Sequence, residues 1–292
     1  MSNLRGLSQQ STQLLLAKLV TNPRLVREAI NKTDEFMGWL NIGEKQRHEL
    51  VGFIKTHGER FLASSQLLAK KRLDDIIDAM QVGRKIFVYE LIQNYFENYI
   101  EKTGLDEYVS KNPIVESIHF CKYIISNENI CDRERIVLEY DLTRNLVLHE
   151  LMIDGESYGE LIQEPEAVSS APVCQIKALI HPSIRIKKFP AGTSLMIKAI
   201  ANNSSDDRLL ISSEEEILIF HKNWLKSGVV TLKVSPDTVE FIKTLMSTDS
   251  LGHAYHLLHE VSGVDIEILK QVVRRFIECG LCAIQYGRRS DV

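Results

Sequence analysis

The sequence predicts an α+β protein in two parts, a helical domain over residues 1–155 and a strand-containing domain over residues 156–292. Three observations predict it. Apolar residues recur at helical spacing through the first half. The composition then turns loop-rich, with Gly155, Gly159, Pro165, Ser169, Ser170 and Pro172 following Leu151. Beyond that stretch come short alternating and β-branched runs, closed by three more amphipathic segments.

The first half reads as about seven helices in series, which makes a bundle. Leu14, Leu15, Leu16, Leu19 and Val20 form the first apolar stripe. Asn22-Pro23 opens a second helix, to about Ile30, because Asn caps a helix N-terminus and Pro fits its first turn. Glu44 to Phe61 carries Leu50, Val51, Phe53, Ile54 and Phe61 at helical period, and a separate helix is expected from Ser65 to Met80, before Gly83. From Ile86 to Ile100 the pairs Phe87-Val88, Leu91-Ile92, Tyr95-Phe96 and Tyr99-Ile100 recur every four residues, giving one broad apolar face with Gly104 as the C-cap. A packed core accounts for this aromatic stripe better than a cofactor box. Asn112-Pro113 opens a helix with Ile114, Ile118 and Ile125 inward. Asp132 to Leu151 makes the last, with Ile136, Val137, Tyr140 and Leu148 inward and Asp132-Arg133-Glu134-Arg135 as a solvated first turn.

The second half starts with strands. Gln175 to Ile180 is largely apolar, and Ser183 to Lys187 alternates until Pro190 interrupts it. Ser194 to Ala201 fits either a strand or a short helix, and Asn202 to Asp207 is a polar turn. Glu214-Glu215-Glu216 precedes the apolar run Ile217 to Phe220. Three consecutive carboxylates point in different directions on either backbone, so a solvated face is expected rather than a metal site. Gly228 introduces the β-branched strand Val229 to Val234. Ser235-Pro236 then caps a helix with Val239, Phe241, Ile242 and Leu245 inward. Gly252–Val261 and Asp265–Glu278 give two more, the last amphipathic through Leu269, Val272, Val273, Phe276 and Ile277. Strands followed by three helices, over about residues 215–286, is the order of a small winged-helix module, which grips a peptide or a nucleic acid.

Composition narrows the functional classes. The chain has 292 residues, 44% hydrophobic and 25% charged, with a formal net charge of -4. No global basic field draws it to nucleic acid or an anionic membrane. The stretch after Met1 lacks the order of a signal peptide, and no run of about 18 apolar residues spans a bilayer. Five scattered cysteines do not read as a disulfide framework. A cytoplasmic protein is the expectation.

No catalytic constellation emerges. Cys279-Gly280-Leu281-Cys282 has redox-motif spacing, but Cys279 ends a helix, where the dipole disfavours a thiolate. Cys121, Cys131 and Cys174 have no ligand pattern around them. His253, His256 and His259 share one side of a helix and are the best metal hypothesis, yet Glu260 is the only nearby acid, and a histidine-bearing exposed face is preferred. His119, His149 and His221 are isolated, and His181 before Pro182 shapes a turn. There is no glycine-rich phosphate loop and no Gly-x-Ser-x-Gly elbow. The expectation is a chain with no catalytic residue and no metal or cofactor of its own.

Two features carry a resemblance: His181-Pro182-Ser183-Ile184-Arg185-Ile186 after an all-helical half, and the strand, Ser-Pro and three-helix order from Gly228 to Ala283. Leu67-Leu68-Ala69-Lys70-Lys71-Arg72 followed by Phe87 to Tyr99 adds to it. With these the chain resembles the partner proteins of multinuclear non-haem iron-dependent oxidative enzymes, which modify ribosomally made peptides. In length and layout it is most similar to the members used in 3-thiaglutamate biosynthesis. The resemblance implies a non-catalytic accessory subunit in a heterodimer with the iron-dependent enzyme. The winged-helix part would recognise the precursor peptide's leader, the helical half would dock on the enzyme, and the iron and the oxidation of a peptide cysteine would belong to the enzyme.

An extended peptide adds to an exposed strand edge through backbone hydrogen bonds. The candidate edge is Val230, Thr231, Leu232, Lys233 and Val234. The third helix would form the opposite wall, with Lys270 and Arg274 facing acidic leader residues. Val273 and Ile277 either receive leader side chains or belong to the core. The alternative is a winged-helix DNA-binding regulator, as a related family has been described. Lys270, Arg274 and Arg275, with Arg288 and Arg289 beyond, favour it, while Glu267, Glu278 and the net acidic chain oppose it.

Overall fold

The computed structural model describes residues 12–40, 42–102, 112–153, 161–166, 168, 173–204 and 213–286. The protein is α+β, with helices and two small antiparallel sheets. It divides into two compact units, Met1–Leu142 and Thr143–Val292. Composition placed the change at residues 155/156; the division by contacts falls inside a helix, Asp132–Ile153. Gly104, Gly155, Gly159, Ser169, Ser170, Pro172, Arg288 and Arg289 lie outside the described residues.

The first unit contains α1 (Thr12–Leu19), α2 (Pro23–Asn31), α3 (Thr33–Trp39), α4 (Glu44–Ala79), α5 (Tyr89–Lys102), α6 (Pro113–Asn127) and the start of α7 (Asp132–Ile153). The Asn-Pro signals act as their chemistry dictates. The Asn22 side chain accepts the Leu25 N–H at 3.2 Å, and the Asn112 side chain accepts the Ile114 N–H at 2.9 Å. Two helices expected over Glu44–Phe61 and Ser65–Met80 are one, the 36 residues of α4. Leu62, Ala63 and Ser64 between them contain no breaker, and the Ser64 hydroxyl bonds back to the Arg60 carbonyl at 2.9 Å instead of capping a new helix.

The aromatic stripe of α5 is core. Ile92, Tyr95, Phe96, Tyr99 and Ile100 are buried, and Phe96 meets Phe120 of α6 edge-on at 5.7 Å. The helix starts only at Tyr89, so Val88, expected inward, lies on the preceding turn and is 64% exposed. A 3-10 turn at Gly83–Lys85 enters it, held by buried Asp141, which accepts the N–H groups of Val82 at 3.2 Å and Gly83 at 2.6 Å. Arg72 of α4 and Glu116 of α6 form a nearly buried ion pair, and Arg72 also donates to the Thr21 carbonyl at 3.0 Å. A second cluster around Leu19, Phe36, Leu50 and Ile54 packs α1, α2 and α3 on the first turns of α4.

The second unit contains β1 (Leu161–Ile162), β2 (Ile176–Ile180), β3 (Arg185–Pro190), α8 (Thr193–Ala201), β4 (Glu215–Lys222), β5 (Val229–Val234), α9 (Pro236–Ser247), α10 (Leu251–Ser262), α11 (Ile266–Glu278) and β6 (Cys282–Tyr286). One sheet has the order β1-β6-β2, the other β3-β4-β5, all antiparallel. Ser194–Ala201, open between strand and helix in the sequence, is helical, and Pro190 ends β3 as the partner of Glu215. The Ser235 hydroxyl caps α9 through the Thr238 N–H at 3.2 Å. The strand β6 carries no sequence signal as strong as the helix before it. It pairs with β2 and β1, which precede residue 215. One core joins the helices α9, α10 and α11 to both sheets, through Ile176, Ile219, Phe241, Tyr255, Phe276 and Ile284 among others. Among the described residues no helix is long and apolar enough to cross a membrane.

Candidate functional site

The predicted recognition strand is β5, and its position in the sheet is the central observation. It pairs with β4 from Ile217↔Val234 to Lys222↔Val229, and among the described residues it has no strand on its other side. The outer side of β5 is therefore a sheet edge among the described residues. The β4–β5 connection explains its register. Asn223 holds the turn by accepting the Leu225 N–H at 2.8 Å and the Lys226 N–H at 3.1 Å, and Gly228 takes φ 106°, a conformation that only Gly adopts freely.

The sheet has a second edge, β3, and the two differ in chemistry. The edge β3 carries Lys187, Lys188 and Pro190, devices that discourage strand addition. The edge β5 reads Val-Val-Thr-Leu-Lys-Val, β-branched and without proline. Its one charge, Lys233, is tied to Glu216 at 2.8 Å.

Side chains alternate along β5. Leu232 and Val234 pack half-buried against the domain core, while Lys233 points to the other face and is exposed. Glu216, expected in a solvated acidic run, is 4% exposed. Its carboxylate accepts the Ser194 N–H at 2.5 Å and the Ser194 hydroxyl at 3.2 Å, at the first turn of α8. Burial pushes its pKa up, but the hydrogen bonds from Lys233 and Ser194 outweigh it and hold the carboxyl below its ordinary value.

On α11 the predicted residues separate. Val273 and Ile277 are 0% exposed and sit in the same core cluster that Leu232 and Val234 join. Of the two readings open for them, they occupy the core one, filling the interior rather than lining an open wall. Lys270 pairs with Glu267 of its own helix at 2.6 Å. Arg274 is half-buried, with its Nε enclosed and without a hydrogen-bond partner. Arg275 is exposed, with acidic Glu267 and Glu278 on the same helix.

The remaining candidates are accounted for locally. His181 Nδ1 accepts the Ser183 N–H at 3.1 Å and lies 2.7 Å from its hydroxyl, so the His-Pro-Ser segment is a side-chain-braced turn. Of the helix α10 histidines, His256 faces Glu260 at 3.4 Å and His259 contacts the Val264 carbonyl at 2.9 Å. No group of three or more His, Cys, Asp or Glu side chains is arranged to hold a metal among the described residues. Burial pushes the Cys282 thiol up to about 12 and raises Cys279, the reverse of an activated redox pair. His221, read from the sequence as isolated, gave no sign there of its burial. It is 1% exposed, its Nδ1 donates to the Lys222 carbonyl at 2.7 Å, its Nε2 has no partner, and burial holds its pKa below the ordinary value. No family model matches the chain, and no curated protein matches it.

Proposed function

We propose that the chain is a non-catalytic partner subunit that binds the leader of a ribosomally made precursor peptide and presents it to an iron-dependent oxidative enzyme. The leader adds as a strand to β5, and the enzyme, which carries the iron, modifies a cysteine of the peptide. The observation that carries this reading is the contrast between the two edges of one sheet: β3 is blunted by two lysines and a proline, and β5 is mostly β-branched, lacks proline and has no strand on its outer side among the described residues. Strands β4 and β5 followed by α9, α10 and α11 support the reading of a winged-helix recognition module over about residues 215–286. Strand addition gives affinity through the backbone.

The test is fluorescence anisotropy of a labelled leader peptide, taken from a precursor encoded beside this chain, titrated with Thr231→Pro and Leu232→Pro variants. Neighbouring residues of a strand direct their N–H groups to opposite sides, so one of these prolines removes an outward donor and the other an inward one. The variant that keeps its melting temperature is the outward one. It is expected to bind the leader at least tenfold more weakly, roughly the loss of one backbone hydrogen bond plus a steric block. Unchanged binding by that variant, or no binding by the wild type with or without the iron enzyme, removes the reading.

A further inference from the structure

The helical unit contains a cavity of about 620 Å³ between α2, α4 and α5, within the range of small-molecule sites. Its apolar lining includes Leu73, Phe96 and Ile100, all part of the aromatic core. Its rim carries three cations, Arg24, Arg27 and Lys70, and two carboxylates, Glu97 and Glu101.

These charges are not equivalent. Arg24 is engaged by Glu101 across the cavity mouth and by Glu28 of its own helix at 3.4 Å. Glu97 accepts from Gln93 at 3.1 Å. Arg27 and Lys70 are exposed and make no ion pair or hydrogen bond among the described residues. The first turn of α2, with Pro23 and Arg24, also lines the cavity and adds the positive end of a helix dipole. Among the lining residues three cations meet two carboxylates, and two of the cations are uncommitted.

We propose that this cavity binds a small organic monoanion, a flat apolar ring system bearing one acid group. The ring lies on Phe96, Leu73 and Ile100, and the acid is held by Arg27 and Lys70. The two rim carboxylates set the charge limit, since a more highly charged ligand meets Glu97 and Glu101 at close range. The site is in the helical unit and stands independently of peptide binding at β5.

The probe is 1-anilinonaphthalene-8-sulfonate, a monoanion with an aromatic body, titrated by fluorescence beside its neutral analogue N-phenyl-1-naphthylamine. The wild type is expected to bind the sulfonate at one saturable site. The double variant Arg27→Gln/Lys70→Gln is expected to lose about tenfold or more in sulfonate affinity, roughly one charge-assisted hydrogen bond, and to bind the neutral dye within a factor of about three of the wild type. Lys55→Glu, an exposed α4 change outside the cavity lining, is expected to leave both affinities unchanged. Both substituted cations are exposed, so the melting temperature is the fold control. An absent sulfonate site in the wild type, an unchanged sulfonate affinity in the double variant, or an equal loss of both dyes overturns the proposal.

Discussion

The Lys233 ammonium on edge strand β5 lies 2.8 Å from the Glu216 carboxylate of β4, and the same carboxylate accepts the Ser194 N–H at 2.5 Å. One buried acid thus ties the candidate recognition edge to the N-terminus of α8. The two partners contribute unequally. Removing Glu216 orphans a buried backbone donor, so Glu216→Ala is expected to cost about 2–3 kcal/mol in urea unfolding. Removing the exposed Lys233 leaves Glu216 its other donors, and Lys233→Ala is expected to cost less than about 1 kcal/mol. Because the folded carboxyl titrates below its unfolded value of about 4.3, its contribution is present above that pH and is lost as pH falls through the folded value. The stability gap between wild type and Glu216→Gln is therefore expected to narrow as pH falls below about 4.3 towards the folded value. A constant gap contradicts it.

His221 supplies a second pH dependence. Burial lowers its folded pKa, so the unfolded chain takes up a proton at a pH where the folded chain does not. Stability is fully present above about pH 6.5 and falls as the pH drops towards the folded value, by up to about 1.4 kcal/mol per pH unit. His221→Leu removes this slope and the unpartnered Nε2 with it. Urea midpoints of the two proteins are expected to run together near pH 8 and to diverge at pH 6, with the variant higher.

Thiol reactivity should follow exposure and pKa. Cys131 and Cys174 are exposed, Cys121 and Cys282 are buried with raised pKa values, and Cys279 is half-buried with its thiol also raised. Iodoacetamide on the folded protein, read by mass spectrometry, is expected to label Cys131 and Cys174 first and Cys282 only on unfolding. Fast labelling of Cys279 or Cys282 would revive a redox role for that pair.

Gly280 and Gly52 separate two kinds of glycine. Gly280 has φ 75°, and a Cβ there overlaps the Asn223 side-chain oxygen of the β4–β5 turn. Gly280→Ala is expected to cost about 2 kcal/mol or more. Gly52 is helical, exposed and faces open space, and Gly52→Ala is expected to stabilise by about 0.5–1 kcal/mol.

Local chemistry was legible in the sequence. The caps Asn22, Asn112 and Ser235 act within three residues of themselves, and each formed the helix start it signalled. The amphipathic faces of α5 and α11 likewise report their own burial. What was not legible depends on distant partners. Strand β6 pairs with β2 across about a hundred residues of chain, and a five-residue run has no means to announce that partner. Glu216 looked solvated because its neighbours are acidic, while its donors come from Ser194 and Lys233. The seam inside α4 failed for the opposite reason: Ser65 offers a cap, but a continuing helix costs less than a break in an unbroken apolar stripe. At the candidate site, the strand was expected as an edge; its pairing with β4 and the contrast with the β3 edge were not legible, since both are properties of the whole sheet.

Amide hydrogen exchange across β5 tests the central claim most directly. With the chain alone, alternate amides from Val229 to Val234 are expected to exchange fast, because they face away from β4, and the others slowly. Adding the leader peptide should slow the fast set. If all six are already protected in the free chain, or if bound leader leaves the fast set unchanged, the edge is not the peptide's seat and the account is wrong.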